Sequence, residues 1–171
     1  MSEFKEETTE NKKEVLEKVK QDGKYLDFVS EKWKDDKEVV KVAIQQDGNV
    51  LEFASNRLKD DKEIVLESIK KVGWTICYAS DRLKADKEVV LEAVKINGQG
   101  LYYASAELRD DKEVVLEAVK NKGLILKYAS NRLRADKQIV QTAIENDKRA
   151  KEYISDKSLL EEEEIKNILE S

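Results

Sequence analysis

The sequence predicts an all-α protein, an α-solenoid of tandem 25-residue two-helix repeats with a C-terminal capping helix. The string Asp-Lys-Glu-(Val/Ile)-Val begins at Asp36, Asp61, Asp86 and Asp111, always 25 residues apart. Within each copy, apolar residues recur at helical spacing. The 171 residues include six glycines and no proline, which disfavours turn-rich β architectures.

We number each repeat from this Asp as position 1, and Asp136 and a degenerate copy at Asn11 continue the series. Repeats one to six are 11–35, 36–60, 61–85, 86–110, 111–135 and 136–160. Residues 1–10 are a predicted N-terminal lead-in, and residues 161–171 are the predicted capping helix. Because helices of about ten residues are marginal alone in water, we expect the repeats to stack into one domain.

The first helix of each repeat is predicted over positions 1 to 11. Its start carries Asp residues that suit an N-cap, and Asp35 with Glu38, or Asp60 with Glu63, fits the carboxylate form of a capping box. Lys in the last turn matches the negative end of the helix dipole. Gly at position 13, as at Gly48, is typical of a left-handed helix stop.

The second helix is predicted over positions 14 to 24. Leu at position 16, Ala at 19, Ser at 20 and Leu at 23 share one helical face. Position 20 is Ser in all six repeats, and such a Ser either lies within one helix or caps a separate short turn. The sequence leaves these two alternatives open.

The last repeat departs from the pattern in the manner of a terminal cap. Lys148 replaces the glycine of position 13, and Lys151 replaces the core leucine of position 16. The segment 158–161, Ser-Leu-Leu-Glu, reads as a capping box that opens a terminal helix. Its inward face is predicted to carry Ile165, Ile168 and Leu169.

The repeated unit resembles a known repeat family. The pattern Asp-Lys-Glu-Val-Val-Leu-Glu-Ala-Val-Lys, then Gly, Leu, Tyr-Ala-Ser and Leu, stands at 86–108 and 111–133. It is similar to the tandem repeats of the domain of unknown function 4116 family, and the resemblance covers residues 11–160. The resemblance implies a helical repeat fold, and it implies no activity and no catalytic residues.

The composition argues against an enzyme. The chain has 32 basic and 37 acidic residues, a net charge of −5, and no histidine. Without histidine it lacks the usual general base and the commonest transition-metal ligand. No glycine-rich phosphate loop and no calcium-loop spacing is present. We therefore predict no enzymatic activity, no cofactor and no metal site.

The single cysteine and the hydropathy bear on location. Cys77 has no partner in this chain for a disulfide, which favours a reducing, cytoplasmic environment, and we expect a packed or surface thiol rather than a nucleophile. No apolar stretch approaches the length of a membrane span, and the N-terminal residues do not read as a secretory signal. We expect no membrane partner.

Positions that vary between repeats are free to carry a binding function, and here their apolar residues concentrate in repeats three to five. We predict that these residues form an exposed edge that binds another protein. The alternative is that they fill gaps between repeats. The candidate residues are Val72, Trp74, Cys77, Ile96, Tyr102, Leu124 and Ile125.

Three functions are therefore weighed. The first is a protein-binding scaffold that uses the variable edge of repeats three to five. The second is a small acidic inhibitor or immunity-type protein that blocks a nucleic-acid-handling enzyme. The third is direct nucleic-acid binding along the basic residues of positions 22 and 24, or by base stacking on the position-18 aromatic residues, which we disfavour because Asp residues adjoin the basic stripe. The sequence does not identify the partner.

Overall fold

The structure, a computed structural model, describes residues 11–171. Within this range the regular structure is entirely helical, and the same succession of elements recurs every 25 residues. The predicted all-α repeat fold is confirmed.

A ten-residue α-helix opens each of the six repeats, and a shorter α-helix follows at the C-terminus. The six long helices are Lys12–Gln21, Lys37–Gln46, Lys62–Lys71, Lys87–Ile96, Lys112–Asn121 and Lys137–Asn146, and the terminal helix is Glu163–Glu170. Consecutive long helices pack against each other and form one layer of the solenoid.

The second half of each repeat is broken into two short pieces. The first piece begins at position 13 in five repeats and at position 15 in repeat four. The 3₁₀ helices are Gly23–Asp27, Gly48–Phe53, Gly73–Tyr78, Gly123–Tyr128 and Lys148–Tyr153, and the single α-turn is Gly100–Tyr103. The second piece is Glu31–Lys34, Asn56–Lys59, Asp81–Lys84 and Ala106–Arg109 as α-turns, and Leu133–Ala135 and Lys157–Glu161 as 3₁₀ turns. The 3₁₀ pieces pack against each other and form the second layer.

The serine that recurs at position 20 explains why the second half of each repeat is divided into two pieces. Ala54 and Ser55 have extended backbones, and the Ser55 hydroxyl accepts a hydrogen bond from the Leu58 N–H at 3.3 Å. The same cap recurs at Ser80, Ser105 and Ser130. The alternative left open by the sequence is thus decided, because the serine caps a separate turn.

The Asp of position 1 is the N-cap of most long helices. Asp61 Oδ1 accepts hydrogen bonds from the N–H groups of Glu63 and Ile64, at 3.0 and 3.3 Å. The predicted capping boxes at Asp35 and Asp60 are wrong, because these carboxylates contact the following repeat instead. A reciprocal capping box does form in repeat one, between Asn11 and Glu14.

The glycine of position 13 is required by a close approach and not by a left-handed turn. No described residue has a positive φ, so the predicted left-handed stop is wrong. A Cβ at Gly98 would lie 2.6 Å from the carbonyl oxygen of Ala118, in the long helix of the next repeat. Gly23 meets Ala43 in the same way, at 2.6 Å. In repeat six this position holds Lys148, which is exposed.

The core lies between the two layers and runs the length of the array. The long helices of repeats two to six bury positions 4, 5, 8 and 9, which in repeat two are Val39, Val40, Ala43 and Ile44. The first long helix buries only Val15 and Val19. The second layer contributes position 16, such as Leu51, and the residues of positions 19 and 23. In repeat three the buried pair Ser68 and Thr75 replaces apolar residues, and their hydroxyls hydrogen-bond at 2.7 Å.

Polar contacts between neighbouring repeats recur in register. The Lys of position 2 reaches the acidic residues at the start of the next long helix, and Lys37 lies 2.7 Å from Asp61 and 2.8 Å from Glu63. The N–H of Ser55 also donates to the carbonyl of Lys34, and each later junction repeats this bond.

A further contact, which we call the Asp–Ser–Arg clamp, joins three of the five junctions. The Asp60 carboxylate accepts hydrogen bonds from the Ser80 hydroxyl and the Arg82 guanidinium of the next repeat. These bonds, with the serine making the larger contribution, lower the pKa of Asp60. The charged carboxylate therefore stabilises the fold above about pH 4, and this contribution is lost as the pH falls below that value. The other two clamps are Asp35–Ser55–Arg57 and Asp110–Ser130–Arg132.

The junction between repeats three and four has fewer polar contacts than the others. Ala85 occupies the position of the clamp aspartate, and Glu107 replaces the arginine. The next two junctions gain an asparagine bridge, in which Asn121 binds the Gly98 N–H and the Lys95 carbonyl, and Asn146 repeats these contacts. At the equivalent position of repeat four stands Ile96. Among the described residues, this junction alone has neither a clamp nor a bridge nor a buried hydroxyl contact.

The C-terminal cap differs from the prediction in its start. Ser158 lies inside the 3₁₀ turn that Asp156 caps, so the predicted capping box of 158–161 is not formed. The helix begins at Glu163, and Ile165 is buried on its inner face, with Ile168 and Leu169 partly buried against the core. Lys137 pairs with Glu162 and Glu164. The terminal helix therefore packs as a shortened seventh long helix.

The glycine contact gives a testable prediction. Gly98→Ala places a methyl group against the Ala118 carbonyl, so the neighbouring repeats must separate slightly. We expect it to lower the free energy of unfolding by about 1–3 kcal/mol, as for overpacking of a core. Urea unfolding monitored by circular dichroism measures the effect. The matched control is Lys148→Ala, at the same position of repeat six, which should change stability by less than about 0.5 kcal/mol. Equal stability of both variants would contradict the close-approach explanation.

The missing clamp gives a second prediction. Ala85→Asp combined with Glu107→Arg places the clamp residues around Ser105, where the serine is already present. We expect the melting temperature to rise by about 1–3 °C, because exposed ion pairs stabilise weakly. Thermal melts at low and high salt measure the gain, which should shrink at high salt. Ala85→Asp alone is the control and should gain less. A double variant no more stable than the unmodified protein would show that the clamp adds nothing to this junction.

Candidate partner-binding groove

A groove on the 3₁₀ layer crosses repeats three, four and five. It has a volume of about 400 Å³ and is lined by Trp74, Gln99, Tyr102, Tyr103 and Tyr128. We call these five residues the aromatic groove. Because they come from three successive repeats, a ligand in this groove would lie along the array and not across a single repeat.

The aromatic rings of the groove contact each other edge to face. The ring of Tyr102 lies 4.9 Å from that of Tyr103 and 4.8 Å from that of Tyr128, measured between centroids. On the other wall, Trp74 lies 5.6 Å from Tyr78. Such contacts hold the rings in place, so the groove is largely formed before a ligand arrives.

The tight 3₁₀ layer explains which side chains project. In repeats two to six, position 18 packs its aromatic ring partly against the core, as Tyr103 and Tyr128 show. The preceding position 17 points outward, and Tyr102 there is 52% exposed. Other repeats place Asp27, Glu52 or Lys127 at this position. The outward position thus accepts charge as well as an aromatic ring.

The phenols of Tyr78 and Tyr103 stay protonated at neutral pH. Burial is the main cause that raises the pKa of Tyr78 to about 12, with smaller contributions from Cys77 and Glu52. Burial also raises the pKa of Tyr103. The hydroxyl groups of these two tyrosines are therefore hydrogen-bond donors as well as acceptors. None of the five residues that line the groove has an acidic carboxylate or a basic side chain.

A smaller depression adjoins the groove and shares Tyr128 with it. Its volume is about 310 Å³, and its lining includes Arg109, Ser130 and Asn131. The Nε atom of Arg109 is buried and has no hydrogen-bond partner. Within the described part of the chain no carboxylate pairs with this guanidinium, unlike that of Arg132 in the next repeat, which binds Asp110.

The comparison with family models bears on this fold. Three tandem segments, 11–59, 61–109 and 111–160, match the family described as domain of unknown function (DUF4116). The chain belongs to the DUF4116 family. Each match spans two of the 25-residue repeats, so the family unit is a pair of repeats. No curated protein and no solved structure matches the chain.

Within this DUF4116 chain, two of the predicted binding residues line the aromatic groove. These are Trp74, which is half-buried, and Tyr102. Ile96 is 41% exposed at the end of its long helix, outside the groove lining. Cys77 is half-buried, and burial raises the pKa of its thiol, so it is not an activated nucleophile.

The remaining three predicted binding residues do not line the groove; they are Ile125, Val72 and Leu124. Ile125 is only 3% exposed and belongs to the core, so its assignment to an exposed edge is corrected. Position 15 faces the long-helix layer in every repeat, and it varies because its volume must match the local packing. Val72 lies against Gly48 of the preceding repeat, within 3.2 Å of where a Cβ would be, and fills a junction. Leu124 is half-buried and does not line the groove.

Sequence reasoning missed four residues of this surface. Gln99, Tyr103 and Tyr128 line the groove, and Arg109 lines the adjoining depression. The rings of Tyr103 and Tyr128 at position 18 are partly buried against the core and also line the groove. The signal that would have revealed the groove is the pair Tyr102-Tyr103, because two adjacent aromatic residues cannot both be buried in a one-sided layer.

The basic stripe proposed for phosphate contacts is largely occupied within the protein. Arg57, Arg82 and Arg132 of position 22 bind the clamp aspartates. Among the described residues no cluster of His, Cys, Asp and Glu is suited to a metal ion, and no helix is long and apolar enough to span a bilayer.

The different burial of two neighbouring candidates gives a prediction about stability. Tyr102→Glu copies the residue that repeat two has at the same position, so we expect a loss of no more than about 1 kcal/mol. Ile125→Ala opens a cavity in the core and should cost about 2–4 kcal/mol. Chemical unfolding of both variants measures the difference. A loss of several kcal/mol for Tyr102→Glu would show that this ring is part of the core.

Proposed function

We propose that this protein is a non-enzymatic interaction scaffold that binds another protein through the aromatic groove of repeats three to five. The observation that carries the proposal is Tyr102, an exposed aromatic ring held between Tyr103 and Tyr128 at a position where four other repeats have a charged residue. Exposed aromatic residues grouped in a preformed groove are typical anchors of protein interfaces.

The framework supports such a role. The core, the glycine contacts and the junction bonds recur in nearly every repeat, whereas positions 14 and 17 change from repeat to repeat. A binding surface on these positions can vary without loss of the fold, which is the usual division of labour in repeat proteins. As part of the proposal the protein acts in the reducing cytoplasm, where the free thiol of Cys77 is stable.

The ion pairs between neighbouring repeats favour a scaffold function over that of an acidic inhibitor. An inhibitor that imitates nucleic acid needs free carboxylates on one face. Here Asp61, Glu63 and their equivalents at the helix starts are engaged by lysines of the preceding repeat. This pairing also lowers the pKa of Glu63 to about 2, with Lys37 and Lys41 as the causes.

The test is a selection of peptide ligands from a displayed random library on the unmodified protein. We expect ligands that bind the double variant Trp74→Asn with Tyr102→Glu at least about tenfold more weakly, as for aromatic anchors. The matched control is Phe28→Ser, which removes a 75% exposed aromatic ring outside the groove and should leave affinity unchanged.

Two outcomes would contradict the proposal. Ligands that bind the double variant and the unmodified protein equally would place the interface elsewhere. Ligands that ignore the groove variants but weaken steeply with salt would instead identify the acidic surface as the binding face.

A further inference from the structure

The spacing of the aromatic residues along the groove matches one kind of ligand. Tyr103 and Tyr128 occupy position 18 of successive repeats, whose long helices pack side by side. Packed helices lie about 8–10 Å apart, so equivalent residues recur at about that distance. A polyproline II helix advances about 9 Å per three-residue turn. An extended proline-rich segment laid along the array would therefore meet an aromatic ring once per turn.

The chemistry of the groove fits the same ligand. A polyproline II segment makes no internal hydrogen bonds, so its carbonyl groups need donors from the protein. The groove offers the hydroxyl groups of its tyrosines, the amide of Gln99 and the indole N–H of Trp74. Aromatic-lined grooves with such donors are the general mode by which proline-rich segments are recognised.

Other occupants fit less well. A cationic ligand would meet the ammonium group of Lys127, which already lies 4.8 Å from the centroid of the Tyr128 ring. Nucleic acid is disfavoured because the groove lining carries no basic side chain.

Arg109 supplies the charge that defines one end of the ligand. Arg109 lines the depression next to Tyr128, and among the described residues no carboxylate pairs with its guanidinium. A ligand carboxylate would supply the charged hydrogen-bond partner that this guanidinium lacks within the protein. An acidic residue that follows or precedes the proline-rich stretch would lie within reach of this depression.

From these observations we propose that the ligand of the aromatic groove is a proline-rich extended segment with an adjoining acidic residue that pairs with Arg109. The inference rests on the proposed scaffold function and names the chemistry of its partner.

The test uses fluorescein-labelled peptides and the full-length protein. The two probes are Pro-Pro-Leu-Pro-Pro-Leu-Pro-Pro-Glu-Glu and its reversed order, because a polyproline II helix can bind in either direction. We expect one of them to bind, and Tyr102→Glu to weaken its binding at least about tenfold. Phe28→Ser serves as the control for an exposed aromatic residue elsewhere.

The pairing with Arg109 is tested by a double-mutant cycle. Arg109→Gln should weaken the acidic peptide by about fivefold to thirtyfold, and it should not affect a peptide in which the glutamates are replaced by glutamine. A purely structural role of Arg109 would weaken both peptides alike, and that result would overturn the assigned pairing. Circular dichroism checks that Arg109→Gln is folded, and Arg109→Lys provides a variant that keeps the charge.

A further control distinguishes failure of the proline-rich ligand from failure of the scaffold function. A peptide of equal charge in which alanine replaces proline should bind at least about tenfold more weakly than the probe. If that helix-forming peptide binds as well or better, or if neither proline-rich probe binds at millimolar concentration, the proline-rich ligand is excluded. Library ligands that depend on Trp74 and Tyr102 would still support the scaffold function in that case.

Discussion

The close approach of the position-13 backbone to the next long helix is the contact on which the array depends. The glycine of one repeat lies against the position-8 carbonyl of the following repeat, as Gly98 does against Ala118. At this distance no side chain fits between the two backbones. The contact therefore sets how closely the repeats stack, and hence the continuity of the core and the spacing of every exposed column.

Polar contacts also connect neighbouring repeats, and their number differs from junction to junction. Lysine pairs and a backbone bond recur along the array, whereas the Asp–Ser–Arg clamp and the asparagine bridge are confined to some junctions. The junction between repeats three and four lacks both, and the aromatic groove crosses it. In an array whose stability is a sum over neighbouring interfaces, a weakly connected junction yields first under strain. The groove thus crosses the junction that has the fewest polar contacts between repeats.

The scaffold and the binding surface are carried by different columns of the same repeat. Buried columns repeat nearly unchanged because each must fill the same space, as at Val40 and Leu51. Outward columns have no such constraint, so Tyr102 stands where Glu52 stands two repeats earlier. This separation explains how a family with one fold can present different surfaces.

The sequence by itself determined the all-α repeat fold, the register of 25 residues and the long helices, because each follows from local spacing and from N-caps within one repeat. It also pointed to Trp74 and Tyr102, since both interrupt otherwise polar columns. Only the tertiary structure decided the role of the glycines, the burial of Ile125, the contribution of Tyr128 to the groove and that of Arg109 to the adjoining depression. These properties arise from contacts between residues about 20 positions or more apart. The local spacing of residues in the sequence does not show which distant residues come into contact.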